Sequence, residues 1–311
     1  MPSIRADDGV RLEYQESGDP AGRPVVLLAG FKAAASSWTY QLPALERAGY
    51  RVVAVDLRGH GGAERPSSGV DMDRRGQDVR DLLEALDLRG AVLVGGSMGA
   101  STIWSYLGQE GADRVAAVVS VDQTPKMLNT PDWPHGFYGY TEGNVDTYFA
   151  EGIPDTGHGT PMLRRGRRLV RLLRAMKGAE RAFTHGELAL LNDHAKADWR
   201  KVIAATDVPA LFVAGAESEF WPSSHAAASA ALASRGESAV IAQDGHAANI
   251  EQPKAFNAGM LEFLARVAPA RLSAGRRRGG SGRCFRTRRP RRRRGGLSRT
   301  PRSSCAPGPS H

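Results

Sequence analysis

Ser97 occupies the position in this chain whose neighbours have the clearest chemical meaning. Residues 95–99 are Gly-Gly-Ser-Met-Gly, after the apolar run 91–94 and before the helix-like stretch 100–107. A serine on a sharp strand-to-helix turn presents its hydroxyl beside the backbone N–H groups of a helix N-terminus, which stabilise negative charge. Flanking glycines suit such a turn because larger side chains would clash with it. The stretch therefore predicts a nucleophilic serine.

His246 is the side chain that we predict to activate this serine. A serine hydroxyl is a weak nucleophile at neutral pH and needs a neighbouring base. His246 follows Gly245 in a loop after the last short apolar stretch, 238–242. Surface or structural roles are predicted for the other histidines of residues 1–270, which are His60, His135, His158, His185, His194 and His225, the last on an exposed-looking alanine-rich helix.

The hydrophobic pattern indicates which elements position these residues. Short apolar runs, typical of strands buried on both faces, alternate with amphipathic helical stretches through residues 1–122 and again through residues 207–270. This alternation predicts the α/β class, with a mostly parallel, doubly wound sheet. Between residues 123 and 206 we find no convincing buried strand. We interpret that segment as a helical cap over the carboxyl edge of the sheet, where it would enclose the substrate.

The positive charge of the chain is concentrated at its C-terminus. Residues 271–311 contain fourteen arginines, no acidic residue and both cysteines, Cys284 and Cys305, whereas residues 1–270 contain 28 basic and 33 acidic residues. The composition of this arginine-rich tail predicts disorder, either without an evolved role or as a misread end of the reading frame. Nucleic-acid binding is not expected, except electrostatically through the tail.

Composition and motifs also predict a soluble, cytoplasmic enzyme that needs no cofactor. The sequence lacks an apolar N-terminal leader and any apolar run long enough to span a membrane, so we expect no membrane partner. Residues 1–270 contain no cysteine for a disulfide or a metal site, and no metal-binding or phosphate-binding motif is evident. The expected partner is a small-molecule substrate, whose acyl character is implied by the family resemblance described below, and the oligomeric state stays open.

Four short stretches occur in an order and spacing typical of one family. They are residues 28–31 (Leu-Ala-Gly-Phe), 56–61 (Asp-Leu-Arg-Gly-His-Gly), 95–99 and 245–246 (Gly-His). Over about residues 3–268 the chain resembles the α/β-hydrolase fold superfamily, in its branch of serine esterases and cofactor-free haloperoxidases. One departure is Ala29, where relatives commonly have histidine.

This resemblance implies an α/β-hydrolase fold with a helical cap and a Ser-His-acid triad built on Ser97 and His246. The backbone N–H groups of Phe31 and Met98 would form the oxyanion hole. The implied activity is hydrolysis of a carboxylic ester, lactone or thioester through an acyl-enzyme. Perhydrolysis, haloperoxidase chemistry and a non-catalytic ligand receptor are the alternatives. Dehalogenation and epoxide hydrolysis are not expected, because they need an aspartate where this chain has Ser97.

The acidic member of the triad is where this sequence departs most from the family pattern. Relatives usually carry it in the loop after the strand that here ends near Ala214, at the position where this chain has Ser218. Some relatives, including haloalkane dehalogenases, carry it at the end of the strand that follows the nucleophile's helix, where this chain has Asp122. We predict Asp122 as the acid. Glu217 or Glu219 is the alternative, and the absence of any acid is the third.

Overall fold

The structure of the chain, a computed structural model, describes residues 1–66, 70–175 and 182–270. Eight strands of this described part form one sheet: β1 (Ser3–Arg5), β2 (Arg11–Gly18), β3 (Pro24–Leu28), β4 (Arg51–Asp56), β5 (Ala91–Gly96), β6 (Val115–Val121), β7 (Ala210–Gly215) and β8 (Gly236–Ile241). Their order across the sheet is β1-β2-β4-β3-β5-β6-β7-β8. β1 and β2 are antiparallel at one edge, and β3 to β8 run parallel to one another.

Nine α-helices are described in addition to the strands: α1 (Leu42–Arg47), α2 (Met72–Ala85), α3 (Met98–Glu110), α4 (Arg167–Ala175), α5 (His185–Lys196), α6 (Arg200–Ala205), α7 (Ser224–Leu232), α8 (Ala248–Glu251) and α9 (Pro253–Val267). Helix α2 begins where Asp71 accepts a hydrogen bond from the Arg74 amide, which satisfies one of the free N–H groups of its first turn. From β3 onward, each strand of the sheet is followed along the chain by one or more helices.

Burial on both faces explains why the central strands are uniformly apolar. Val26 and Leu28 of β3 belong to one core layer, and Val25 and Leu27 belong to the layer on the opposite face. Helices α2, α3, α6 and α7 contribute to the first layer, and α1 and α9 contribute to the second. The sheet is therefore mostly parallel and covered by helices on both faces, which confirms the predicted fold class.

The segment between β6 and β7 supplies α4, α5 and α6, and its described residues include no strand of the sheet. Its apolar side chains form a separate cluster around Phe137, Phe149 and Leu191, and this cluster reaches Trp221 in the loop after β7. The segment thus packs beside the carboxyl ends of the parallel strands. The boundaries of the cap, 123–206, stay a prediction.

Two further expectations concern the ends and the surroundings of this domain. The arginine-rich tail, with its predicted disorder, lies outside the described residues. In the described part of the chain, no helix combines the length and the apolar character needed to cross a membrane.

Candidate active site

Ser97 lies at the sharp turn between β5 and α3. Its backbone has φ +51° and ψ −129°, a conformation that is strained for any residue with a Cβ atom. The Ser97 amide donates a hydrogen bond to the carbonyl of Val121, 2.9 Å away at the end of β6. The turn is thus fixed against the neighbouring strand and stands directly before the N-terminus of α3.

Gly95 and Gly99, on either side of this turn, leave no room for a side chain. A Cβ atom on Gly95 would lie 2.4 Å from the amide nitrogen of Ala100. A Cβ atom on Gly99 would lie 2.3 Å from the carbonyl oxygen of Leu28. Both distances are far inside van der Waals contact, which confirms the predicted clash at these two positions.

We expect Gly99→Ala to destabilise the protein by roughly 3 kcal/mol or to prevent folding, because the added methyl group overlaps a backbone carbonyl. Gly259→Ala is the matched control: Gly259 lies on the exposed side of α9, and no atom lies within 4 Å of an added Cβ. Inside a helix, alanine is favoured over glycine by roughly 1 kcal/mol, so this variant should be slightly more stable. Urea unfolding measures both variants, and equal stabilities would contradict the steric explanation.

Asp122 and His246 come together from distant parts of the sequence. Asp122 directly follows β6, and the loop that carries His246 follows β8. Oδ2 of Asp122 accepts a hydrogen bond from Nδ1 of His246 at 2.7 Å. Because a carboxylate can only accept, this bond makes Nδ1 the protonated nitrogen and leaves Nε2 as the basic one.

The Asp122 carboxylate is enclosed by further polar groups. Ser218 Oγ donates to Oδ2 at 2.7 Å, and the Gly215 amide donates to Oδ1 at 2.9 Å. Nε2 of His225 lies 3.5 Å from Oδ1. Complete burial raises the pKa of Asp122, but the interactions of the carboxylate with the imidazoles of His225 and His246 outweigh burial and lower the pKa to about 2. Asp122 is therefore ionised at neutral pH.

The environment of His225 differs from the exposed position predicted from the sequence. Its side chain is only 1% exposed, and its ring packs edge-on against Trp221. Helix α7 consists mostly of alanines, so its residue pattern does not distinguish a buried face from an exposed one. Ser218 occupies the position at which relatives usually carry the acid. Here its hydroxyl donates a hydrogen bond to the Asp122 carboxylate.

Glu217 and Glu219 bind groups other than the imidazole. Glu219 Oε2 accepts a 2.8 Å hydrogen bond from the backbone amide of His246. Glu217 Oε2 accepts from Arg168 Nη1 at 3.1 Å and from the Thr160 hydroxyl. Of the three carboxylates considered as the acid, the one hydrogen-bonded to the His246 ring is Asp122.

Two arginines connect the segment before β7 to the loops of the site. The side chain of Arg165 is 4% exposed, and it pairs with Glu219 and with Glu251, the latter at 2.7 Å. Arg168 pairs with Glu217 across the same boundary. The sequence did not reveal these contacts, because a run of arginines on a helix gives no sign of which guanidinium groups turn inward.

Asp244 is a second buried carboxyl group close to His246. Its side chain is fully buried, and neither carboxylate oxygen has a hydrogen-bond partner among the described residues. Burial, together with the negative charges of Glu251 and Asp122, raises the pKa of Asp244 to about 8. The folded protein thus holds a proton on Asp244 at pH values where the unfolded chain has released it.

The raised pKa of Asp244 predicts a loss of stability as the pH rises. Its stabilising contribution is complete below the unfolded pKa of about 4 and disappears as the pH rises to about 8. Asp244→Asn removes this titration. Between pH 5 and pH 9, the free energy of unfolding of this variant should therefore increase relative to that of the wild type. Thermal unfolding across this range tests it, with the exposed Asp146→Asn as the control. A constant difference between Asp244→Asn and the wild type would refute this assignment.

Ser97 and Phe31 line two cavities. The first, of about 130 Å³, is also lined by Gly30 and His246, so the serine and the imidazole border the same space. The second, of about 20 Å³, is also lined by Met98. A Cβ atom on Gly30 would lie 3.0 Å from Ser97 Cβ, so glycine keeps the loop after β3 close to the serine. The two residues predicted for the oxyanion hole, Phe31 and Met98, therefore flank Ser97.

This geometry has counterparts in known proteins. The family model for the alpha/beta hydrolase fold matches residues 23–166. The chain is 29% identical to a non-heme haloperoxidase from Rhodococcus erythropolis over 279 residues, which are 85% of this chain and 99% of the relative. It is 39% identical to a non-heme chloroperoxidase from Streptomyces lividans over 132 residues, which are 42% of this chain and 48% of the relative. The chain thus spans about half the length of such chloroperoxidases.

Solved structures with a similar fold cover most of this chain. A bromoperoxidase from Bacillus anthracis superposes with a TM-score of 0.69 at 27% sequence identity, over 85% of this chain and 99% of that chain. Esterases are also among the solved structures with this fold. Together these matches support an α/β-hydrolase superfamily protein of the branch that contains haloperoxidases and esterases. The resemblance drawn from the sequence motifs is confirmed.

Proposed function

We propose that this protein is a serine hydrolase that cleaves a carboxylic ester, lactone or thioester through an acyl-enzyme. The observation that supports this most directly is the 2.7 Å hydrogen bond from His246 to Asp122, beside a cavity that His246 and Ser97 line together. A buried carboxylate, an imidazole with one free nitrogen and a serine on a strained turn are the three groups of a catalytic triad.

Each group has a defined task in the proposed mechanism. Nε2 of His246 removes the hydroxyl proton as Ser97 Oγ attacks the acyl carbonyl carbon. Asp122 holds the imidazole in the required tautomer and stabilises its positive charge. The backbone N–H groups of Phe31 and Met98 would stabilise the oxyanion. The proton on His246 then passes to the leaving alcohol, and the same imidazole activates the water that hydrolyses the acyl-enzyme.

Labelling with a fluorophosphonate probe tests the nucleophile directly. We expect a single covalent adduct, located by peptide mapping to the peptide that contains Ser97. A series of p-nitrophenyl esters of increasing acyl length would then define the acyl preference. Absence of both labelling and ester turnover would support a ligand receptor in place of an enzyme.

A second candidate is perhydrolysis, in which hydrogen peroxide attacks the acyl-enzyme and a peracid leaves in place of the carboxylic acid. The relative from Rhodococcus erythropolis, named a non-heme haloperoxidase and aligned over 99% of its length, favours it. Perhydrolysis is measured as the formation of a peracid from a short ester and hydrogen peroxide. Bromination that depends on added bromide reports the same peracid. If peroxide leaves the products of ester cleavage unchanged, hydrolysis is the function.

A further inference from the structure

His194 of α5 lies in the site, although the proposed mechanism does not use it. It lines the 20 Å³ cavity together with Ser97. The rest of the described lining is aliphatic or aromatic, and includes Met98, Phe149 and Leu191. Besides Ser97, the polar groups on the side chains of this lining are therefore the His194 ring nitrogens and the indole N–H of Trp221. Of these two side chains, His194 is the one that offers an acceptor as well as a donor.

The His194 ring is neutral and has unused hydrogen-bonding capacity. The residue is only 5% exposed, and its Nδ1 has no hydrogen-bond partner in the described part of the chain. Burial, reinforced by the charges of Arg75 and His246, lowers the pKa of His194 to about 3. A neutral imidazole offers one N–H donor and one acceptor, and a buried nitrogen without a partner destabilises the protein unless a bound group satisfies it.

The two cavities accommodate different parts of an ester. His246 must protonate the leaving alcohol, so the alcohol lies in the larger cavity, which His246 lines. The acyl part then occupies the smaller cavity with His194. A space of about 20 Å³ accommodates one group the size of a hydroxyl, and the flexible side chains of Met98 and Met127 can move to admit a short carbon chain.

We infer that His194 binds a hydroxyl or other hydrogen-bonding substituent on the acyl group, so that the preferred substrates are esters of short hydroxy acids. This inference rests on the proposed hydrolase function. Rotation of the ring about its Cβ–Cγ bond exchanges nitrogen and carbon positions at almost equal shape, so either nitrogen can be presented to the substrate. A pocket with an unsatisfied polar group discriminates against an apolar analogue of the same size.

Matched pairs of esters test the inference. Phenyl 3-hydroxybutanoate and phenyl 3-methylbutanoate differ by a hydroxyl in place of a methyl group, as do phenyl 2-hydroxypropanoate and phenyl 2-methylpropanoate. We expect at least one hydroxy ester to have roughly tenfold or higher kcat/KM than its methyl counterpart. This ratio should stay constant from pH 5 to pH 9, because His194 stays neutral throughout that range.

His194→Phe should reduce the ratio to about one, because phenylalanine keeps a ring at this position but offers neither a donor nor an acceptor to the hydroxyl group. His194→Gln, which keeps a donor and an acceptor, should retain part of the preference for the hydroxy ester. This variant provides a second test if the phenylalanine variant does not fold. His185→Phe, at an exposed position of the same helix, is the control and should keep the full ratio.

Two results would overturn the inference. One is a wild-type protein that hydrolyses both members of each pair equally through Ser97, which leaves the proposed function intact. The other is a preference that survives in His194→Phe. If neither ester is cleaved and Ser97 is not labelled, the proposed function fails and the inference fails with it.

Discussion

Replacement of Ser97 by alanine should lower kcat for ester hydrolysis by about 10³-fold or more, without loss of the fold. Alanine cannot form the acyl-enzyme, so the two-step route through a covalent intermediate is lost. The remaining rate would come from the oxyanion-hole groups and from water activated by His246. Steady-state kinetics and fluorophosphonate labelling of Ser97→Ala measure the effect, and circular dichroism reports the fold.

Ser101→Ala is the matched control for this variant. Ser101 lies one helical turn further along α3, is fully buried, and its Oγ has no hydrogen-bond partner among the described residues. Its replacement should leave kcat within about twofold of the wild type, because it removes no group from the proposed chemistry. Persistent labelling in Ser97→Ala would show that another residue is the nucleophile.

Asp122→Asn should lower kcat by roughly 10²–10⁴-fold with little change in fold. The amide has the shape of the carboxylate, and its oxygen, in the place of Oδ1, can still accept from the Gly215 amide. Its NH2 group would then face Nδ1 of His246 and favour the tautomer with the proton on Nε2. That tautomer cannot act as the base for Ser97. Steady-state kinetics on a p-nitrophenyl ester measure the loss.

Substitutions in the loop after β7 separate Asp122 from the alternative acids. Glu217→Gln and Glu219→Gln should each cost less than about tenfold in kcat, since both bind groups other than the imidazole. Adding Ser218→Asp to Asp122→Asn should recover part of the rate, because Ser218 Oγ already lies 2.7 Å from the Asp122 carboxylate. The assignment is wrong if Asp122→Asn retains normal activity while one of the glutamate variants is inactive.

The fold was predictable because its strands are buried on both faces. A parallel strand between two helical layers, such as β3, must be apolar at every position, and five consecutive buried residues therefore stand out in the sequence. The strand-to-helix turn at Ser97 was predictable for a similar reason, since only glycine is accommodated at positions 95 and 99. Both are local properties of a short stretch.

The surroundings of Asp122 were predictable only in part, because they depend on contacts between distant segments. The end of β6 marks Asp122 as a candidate, but only the packing of three later loops and helices brings Ser218, His225 and His246 to its carboxylate. Likewise, the sequence contains many arginines and several histidines, and Arg165 and His194 do not stand out among them. Nothing in their local pattern indicates that the first pairs with Glu219 or that the second lines the serine's cavity.

The backbone conformations of Ser97 and Asp122 have a consequence for attempts to improve the protein. Both residues have positive φ, +51° and +43°, at the ends of the adjacent strands β5 and β6. Such a conformation costs a residue with a side chain about 1 kcal/mol relative to glycine. Directed evolution that selects for heat resistance alone would therefore favour glycine at position 97 and yield more stable but inactive proteins. Glycine at position 122 would instead leave the Gly215 amide and the Ser218 hydroxyl without their buried acceptor. Libraries built for thermostability should keep these two codons fixed.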